Sequence, residues 1–221
     1  PIYDGRDFVR NSKRFGVPQI RPRTYIMAFD RAHYGEELIR ALPNLLPDHN
    51  DLNIYEDLND LLEFGAEPRH YMSSGYLETL ERHRERQKAN GNGFGYIVVN
   101  RPEVEHPIAN TLLATGGSGK ERNLVFDPQD GIAGMIVPTK TTPLNAKGIR
   151  VMTPREWGKL QGFIGYAFIE NGVDTFSFPE GISDCQKYKQ FGNSVTIPVI
   201  ERMARFMLEC FEILGELANI E

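Results

Sequence analysis

Cysteine is scarce: Cys185 and Cys210 stand far apart, with no C-x-x-C and no Cys/His spacing. Neither a disulfide framework nor a zinc site is therefore expected. No run approaches the roughly 20 apolar residues that a bilayer span needs. The opening stretch PIYDGRDFVRNSKRFG carries no apolar core of the signal-peptide kind. The expectation is a cytoplasmic protein with no membrane partner and no metal. An excess of basic charge is missing too. The 25 Lys/Arg against 30 Asp/Glu leave a net charge of −5, which at first argues against a nucleic-acid binder, because phosphate neutralisation supplies most of that affinity. The distribution reopens the question. Residues 1–31 hold seven Lys/Arg against three Asp/Glu and 69–161 hold thirteen against nine, whereas 32–68 and 162–221 are acidic. A basic face on an acidic protein is compatible with that pattern.

What is present is the composition of a globular chain, 40% hydrophobic and 25% charged, over 221 residues that suffice to bury a core. Thr24–Phe29 (TYIMAF) reads as a short buried strand after a loop held extended by Pro18 and Pro22. Residues 34–42 and 54–64 suggest short acidic helices. From Ser73 a helical pattern runs to an Asn90-Gly91 stop, with Tyr76, Leu77 and Leu80 as its apolar edge. Between 93 and 150 short strand-like runs (Tyr96–Val99, Thr111–Ala114, Leu124–Phe126) alternate with Gly, Thr, Pro and Asn, as in a loop-rich β region where binding residues gather. Thr153-Pro154-Arg155-Glu156 is a clear helix start, with a Thr cap, Pro at the first position and Glu completing a capping box; Gly162 is its stop. From Thr196 to Leu217 apolar residues recur at a 3.6-residue period, a long amphipathic helix that must pack on something.

Three segments then stand out in order: Phe15-Gly-Val-Pro-Gln-Ile-Arg-Pro-Arg23, Arg150-Val-Met-Thr-Pro-Arg-Glu-Trp-Gly-Lys-Leu-Gln-Gly-Phe163, and Tyr188-Lys-Gln-Phe-Gly-Asn-Ser-Val195. They resemble the last three sequence motifs of the DNA cytosine-5 methyltransferases, separated by a long variable region as in that family. Gly91–Tyr96, after a basic helix, resembles an element of some bacterial members, and Thr111–Arg122 sits where the family's recognition loops fall. The resemblance implies an α/β chain that completes a doubly wound S-adenosylmethionine-dependent methyltransferase domain and carries a smaller, irregular β-rich target-recognition domain. Residues 1–36 would be the late part of the catalytic domain, 37–165 the recognition domain, and 166–221 a return to the catalytic domain with the final helix. The family's Pro-Cys nucleophile has no counterpart: Cys185 follows Asp184 and Cys210 follows Glu209. Glu170-Asn171 is followed by Gly172 and lies too late to be the family's Glu-Asn-Val element.

Methylation at carbon 5 of cytosine requires a thiolate to add at carbon 6 of a base taken out of the stack, with a carboxylic acid assisting at nitrogen 3. Neither group can be placed here. The resemblance therefore implies a portion acting with an N-terminal half that carries the cysteine, a separate subunit or another part of the same chain, within a restriction-modification system, and inactive alone. Its partners would be double-stranded DNA and that half. Arg23, and after it Arg21, would sit at the catalytic pocket, stabilising charge that develops on the cytosine carbonyl; pairing with surface acids or phosphates is the plainer alternative. Asn193, Ser194 and Val195, placed at the start of the last helix, would contact S-adenosylmethionine bound jointly with the other half, or merely cap the helix. Readout is expected from Arg82, Arg84 and Arg86 on a basic helix edge and from Thr115, Gly116, Gly117, Ser118, Lys120 and Arg122 in a glycine-rich loop. A solvated helix and a plain turn are the bland alternatives. Arg155 reads as a buried or phosphate-paired brace. A phosphate-binding loop is disfavoured, since Ala114 replaces its first glycine and Glu121 its Ser/Thr. A non-catalytic DNA-binding module that has lost its enzyme half is the rival reading.

Overall fold

A computed structural model describes residues 4–93, 96–115 and 120–218. Its strands are short and pair only in twos: β1 (Val9–Asn11) with β2 (Pro22–Thr24), β3 (Leu124–Phe126) with β4 (Ile149–Val151), and β5 (Ile169–Glu170) with β6 (Val173–Asp174), all antiparallel. Among the described residues six α-helices follow one another: α1 (Arg31–Tyr34), α2 (Glu36–Arg40), α3 (Ser74–Ala89), α4 (Pro154–Leu160), α5 (Asp184–Asn193) and α6 (Ile197–Ala218). No helix among the described residues is long and apolar enough to cross a membrane.

The strand expected over Thr24–Phe29 ends at Thr24. Residues 25–29 keep the burial alternation of a strand, with Tyr25, Met27 and Phe29 turned inward and Ile26 74% exposed, yet have no ladder partner among the described residues. The Tyr25 amide carries the pairing one step further, to the Phe8 carbonyl at 2.9 Å; beyond it the run has strand chemistry without a ladder among the described residues. The helix expected over 34–42 is split at Gly35, whose φ of +83° is a conformation that side chains with a Cβ resist. Over 54–64 only a 3-10 turn forms, Leu58–Leu61, capped by Asp57 and burying both leucines. Tyr96–Val99 and Thr111–Ala114 form no strands; Val98 makes one isolated bridge to Leu124.

The core gathers around α4. The expected capping box is formed: Thr153 Oγ1 accepts from the Glu156 amide at 3.1 Å, and Glu156 Oε2 accepts from the Thr153 amide at 2.7 Å. Glu156 is also held bidentately by Arg150 at 2.7 and 2.8 Å, with Arg150 Nε on Asp127 at 2.6 Å. Both members of the pair are fully buried, so each depends on the other to remain charged there. The buried brace is thus Arg150. Arg155 instead pairs with Glu63 at 3.1 Å and stays partly exposed. Trp157 packs edge-on against Tyr188 of α5 at 4.8 Å, beside Leu58, Leu61, Leu112 and Phe191.

The last helix has two apolar stripes. Val199, Met203, Phe206, Cys210 and Leu214 are buried against Phe15, Leu42 and their neighbours. Ile200, Met207, Leu208 and Phe211 form a second stripe at the same helical spacing, 39–57% exposed.

Candidate functional site

The first and third motif segments meet at Arg21, and the second joins them through Gln19 and Gln161. Gly16 (φ +85°) turns the chain where a Cβ would stand 2.8 Å from the Leu52 carbonyl oxygen. Pro18 and Ile20 then run beside Ala109 through hydrogen bonds of 2.8 Å each. Arg21, 2% exposed, donates from Nη1 to the Leu112 carbonyl (2.9 Å) and from Nη2 to those of Gly192 (2.9 Å) and Ser194 (2.7 Å). One guanidinium thereby joins the first motif, the recognition region and the turn between α5 and α6. Its Nε has no partner among the described residues. Burial, with the Arg23 charge adding, lowers the Arg21 pKa to about 10, so the group remains cationic at neutral pH.

A buried polar network braces the junction. Gln19 Nε2 donates to the Leu160 carbonyl (3.0 Å) and Gln161 Nε2 to that of Phe191 (3.0 Å). Thr196 donates to Gln161 Oε1 (2.8 Å) and shares a 2.7 Å hydrogen bond with Ser12. Gly192 is required by contact: a Cβ there would lie 2.5 Å from the Leu113 oxygen and 2.7 Å from Ala114 Cα. Its absence lets the backbone leading toward the glycine-rich loop lie directly on the end of α5.

Arg23 lies in β2 opposite Arg10. It is half-buried, and its Nη1 donates to the neighbouring Pro22 carbonyl at 2.7 Å. Neither Arg21 nor Arg23 forms an ion pair with a carboxylate among the described residues, so the edge of the junction holds two adjoining uncompensated cations. Arg10 is buried as well and is spent on the carbonyls of Asp7, Val9, Leu46 and Pro47.

Asn193 and Ser194 do not open the last helix. Asn193 is the final residue of α5 and Ser194 its cap, while α6 starts at Ile197. The polar run that suggests a helix start is a helix end, because α5 itself, with only Tyr188, Phe191 and Gly192 buried, has too little apolar periodicity to be seen in sequence. Ser194 Oγ donates to the Phe191 carbonyl at 2.8 Å. The Asn193 amide has no hydrogen bond among the described residues and is exposed, as is Val195 at 44%.

The arginines of α3 do not share an edge. Arg82 and Arg86 lie one turn apart, contacting Thr79 (3.4 Å) and His83 (2.8 Å). Arg84 projects to the other side, over the Tyr96 ring at 4.9 Å. Spacing of two on a 3.6-residue helix separates them by about 200°. Lys120 places its ammonium over the Tyr188 ring at 3.8 Å. Thr115 and Arg122 are exposed; Gly116, Gly117 and Ser118 lie outside the described residues. Gln19, Gln161 and Thr196 hold the site together although no spacing marks them; Gln19 and Gln161 fall inside the motif segments, which is the one signal that could have found them. Among the described residues no group of His, Cys, Asp or Glu could hold a metal.

Comparison with known proteins agrees with this convergence of motifs. The type II methyltransferase M.HpaII of Haemophilus parainfluenzae is 36% identical over 212 residues, covering 90% of this chain and 49% of the relative. M1.ScrFI of Lactococcus lactis subsp. cremoris is 30% identical, covering 95% and 44%. The chain thus spans about half the length of these curated relatives. The Entamoeba histolytica methyltransferase EhMeth shares the fold, with a TM-score of 0.55 at 18% identity over 91% of this chain and 52% of that one. The family description C-5 cytosine-specific DNA methylase matches residues 3–209. With the three motif segments joined by the buried Arg21, Gln19 and Gln161 side chains and the match running over nearly the whole length, the chain belongs to the C-5 cytosine-specific DNA methylase family.

Proposed function

We propose that this chain is the recognition and pocket-closing portion of a DNA cytosine-5 methyltransferase of a restriction-modification system, acting with an N-terminal half that carries the Pro-Cys nucleophile. The observation that carries the reading is an unfinished face. The extended run 25–29 has strand alternation without a ladder among the described residues, and α6 leaves Ile200, Met207 and Leu208 exposed beside a Phe211 that Phe29 and Tyr34 only partly cover. Exposed contiguous apolar surface of this kind is costly unless something covers it. A neighbouring strand and helix layer would do so, making residues 1–36 and 166–221 the closing part of a doubly wound domain and 37–165 the recognition domain.

Within the assembled pocket the thiolate comes from the partner half, since neither cysteine here suits the task. Cys210 is 1% exposed and burial pushes its thiol pKa up, and neither follows a proline. Arg23 is the residue of this chain that faces the reacting base. Its uncompensated guanidinium stabilises negative charge developing on the cytosine carbonyl after attack. Arg21, held by three carbonyls, positions β2 and with it Arg23. S-adenosylmethionine supplies the methyl group when bound; the unbonded Asn193 amide and the exposed Val195 fit one rim of its pocket, with polar and apolar groups side by side. Ser194 keeps its hydroxyl on Phe191 and holds that rim in shape.

The test is methyl incorporation into DNA by the purified chain, by a matched N-terminal half and by the two mixed. Activity only in the mixture is expected. A chain that binds DNA but supports no transfer with a folded, matched half would be a binding module instead.

A further inference from the structure

A cleft of about 470 Å³ opens between the start of α3, the segment 139–141 and α5. Three cations line it, Arg69, Lys120 and Lys140, together with the hydroxyls of Ser73, Thr139 and Thr141. Two carboxylates are present, and both are engaged. Glu121 Oε1 accepts the Tyr76 hydroxyl at 2.9 Å, and Asp184 pairs with Lys187 at 3.1 Å and Arg69 at 3.4 Å. Arg69 is further tied to Glu67 at 3.0 Å. Lys120 and Lys140 remain, half-buried and without a carboxylate within 4.0 Å among the described residues. Burial lowers the pKa of both ammonium groups; on Lys120 it is opposed by Cys185, Asp184 and Glu121, and the Lys140 charge adds to it least. Surface lysines ordinarily turn to water; here the geometry turns two of them into a shared cleft.

We propose that this cleft binds a phosphate of the DNA backbone, held by Lys120 and Lys140 with hydroxyl donors from Thr139 and Thr141. The choice of ligand follows from donor chemistry. Reading guanine favours a planar bidentate donor, whereas point-charge ammonium groups ringed by hydroxyls suit a tetrahedral anion whose oxygens accept from several directions. A phosphate contact fixes register and carries no sequence information. The contact would therefore anchor the recognition region on α5, beside the Tyr188 that begins the third motif. The inference rests on the DNA-binding reading given above, and adds to Lys120, which the sequence singled out, a partner that it did not, since Lys140 lies in an unremarkable Thr-rich loop.

The test is fluorescence anisotropy of a labelled duplex with the 221-residue chain, alone and mixed with its N-terminal half, across a salt series. Each phosphate contact contributes close to one unit to the slope of log affinity against log salt. Lys140→Gln is expected to flatten the slope by about 1 and to weaken binding roughly 5- to 10-fold at low salt, equally for unrelated duplex sequences. Lys140→Arg, which keeps the charge, should restore most of the slope, and Arg40→Gln on α2, an exposed cation outside the cleft, should leave the slope unchanged. Circular dichroism of each variant establishes that it is folded. Parental binding with a slope unaltered in folded Lys140→Gln and Lys120→Gln would overturn the cleft and leave the DNA reading intact. Absence of duplex binding by the parental protein, alone and mixed, would overturn both.

Discussion

Replacing Arg21 by Met separates a positioning role from a catalytic one. Methionine keeps an unbranched side chain in the space but donates nothing, so the carbonyls of Leu112, Gly192 and Ser194 lose the hydrogen bonds of 2.9, 2.9 and 2.7 Å. A hydrogen bond from a charged donor contributes about 1.5–3 kcal/mol, and stranding buried acceptors carries a penalty of similar size. Against this stands the relief of no longer burying a cation that has no counterion. The opposing effects leave a net destabilisation of about 3–5 kcal/mol, in the range for breaking a buried charged network. With a urea m-value of about 3 kcal/mol/M, the unfolding midpoint should fall by roughly 1–1.7 M. Urea denaturation followed by circular dichroism measures it, and Arg21→Lys should recover less than half. Methyl transfer in the mixed halves should fall only as far as the folded fraction falls at the assay temperature. Arg21→Met unfolding within 1 kcal/mol of the parent while transfer drops by orders of magnitude would refute the reasoning and put Arg21 against the substrate.

Other expectations follow from neighbouring geometry. Arg23→Ala in the mixed halves should lower methyl transfer by about 10²-fold, the scale of a lost charge stabiliser, with duplex affinity changed less than threefold by anisotropy. Equal losses in both would reassign Arg23 to phosphate binding. Gly192→Ala forces a Cβ onto the Leu113–Ala114 backbone and should cost about 1–3 kcal/mol in urea denaturation. His70 is held down to about 4 by burial, with the Arg69 charge adding. Being neutral in the fold and protonated when unfolded, it leaves stability intact above its ordinary value near 6.5 and removes about 3 kcal/mol as pH falls from there toward 4. His70→Gln should flatten that decline in a pH series of thermal midpoints.

Legibility differed between elements for physical reasons. The helix at Thr153–Glu156 could be read because capping is local: four consecutive residues carry every group the box needs. The long α6 could be read from its period, although the sequence did not reveal that its apolar surface divides into a covered and an open stripe. What escaped was tertiary. Whether Thr24–Phe29 joins a ladder depends on a partner strand, and short polar α5 exists because Tyr188 and Phe191 find Trp157 and the surrounding core. Among site residues, the motif arginines were visible, but that Arg21 is consumed by carbonyls from two distant segments was not. Lys140 became visible only when folding set it beside Lys120.

The most direct test of where the reactive thiolate resides uses duplex DNA in which cytosine is replaced by 5-fluorocytosine. Fluorine cannot leave as a proton does, so after thiolate addition and methyl transfer the base stays covalently attached to the cysteine that attacked it. Denaturing electrophoresis and peptide mass spectrometry of the mixed halves with S-adenosylmethionine should find the adduct only on the N-terminal half, at its Pro-Cys. An adduct at Cys185 or Cys210, or any adduct formed by this chain alone, would contradict the account.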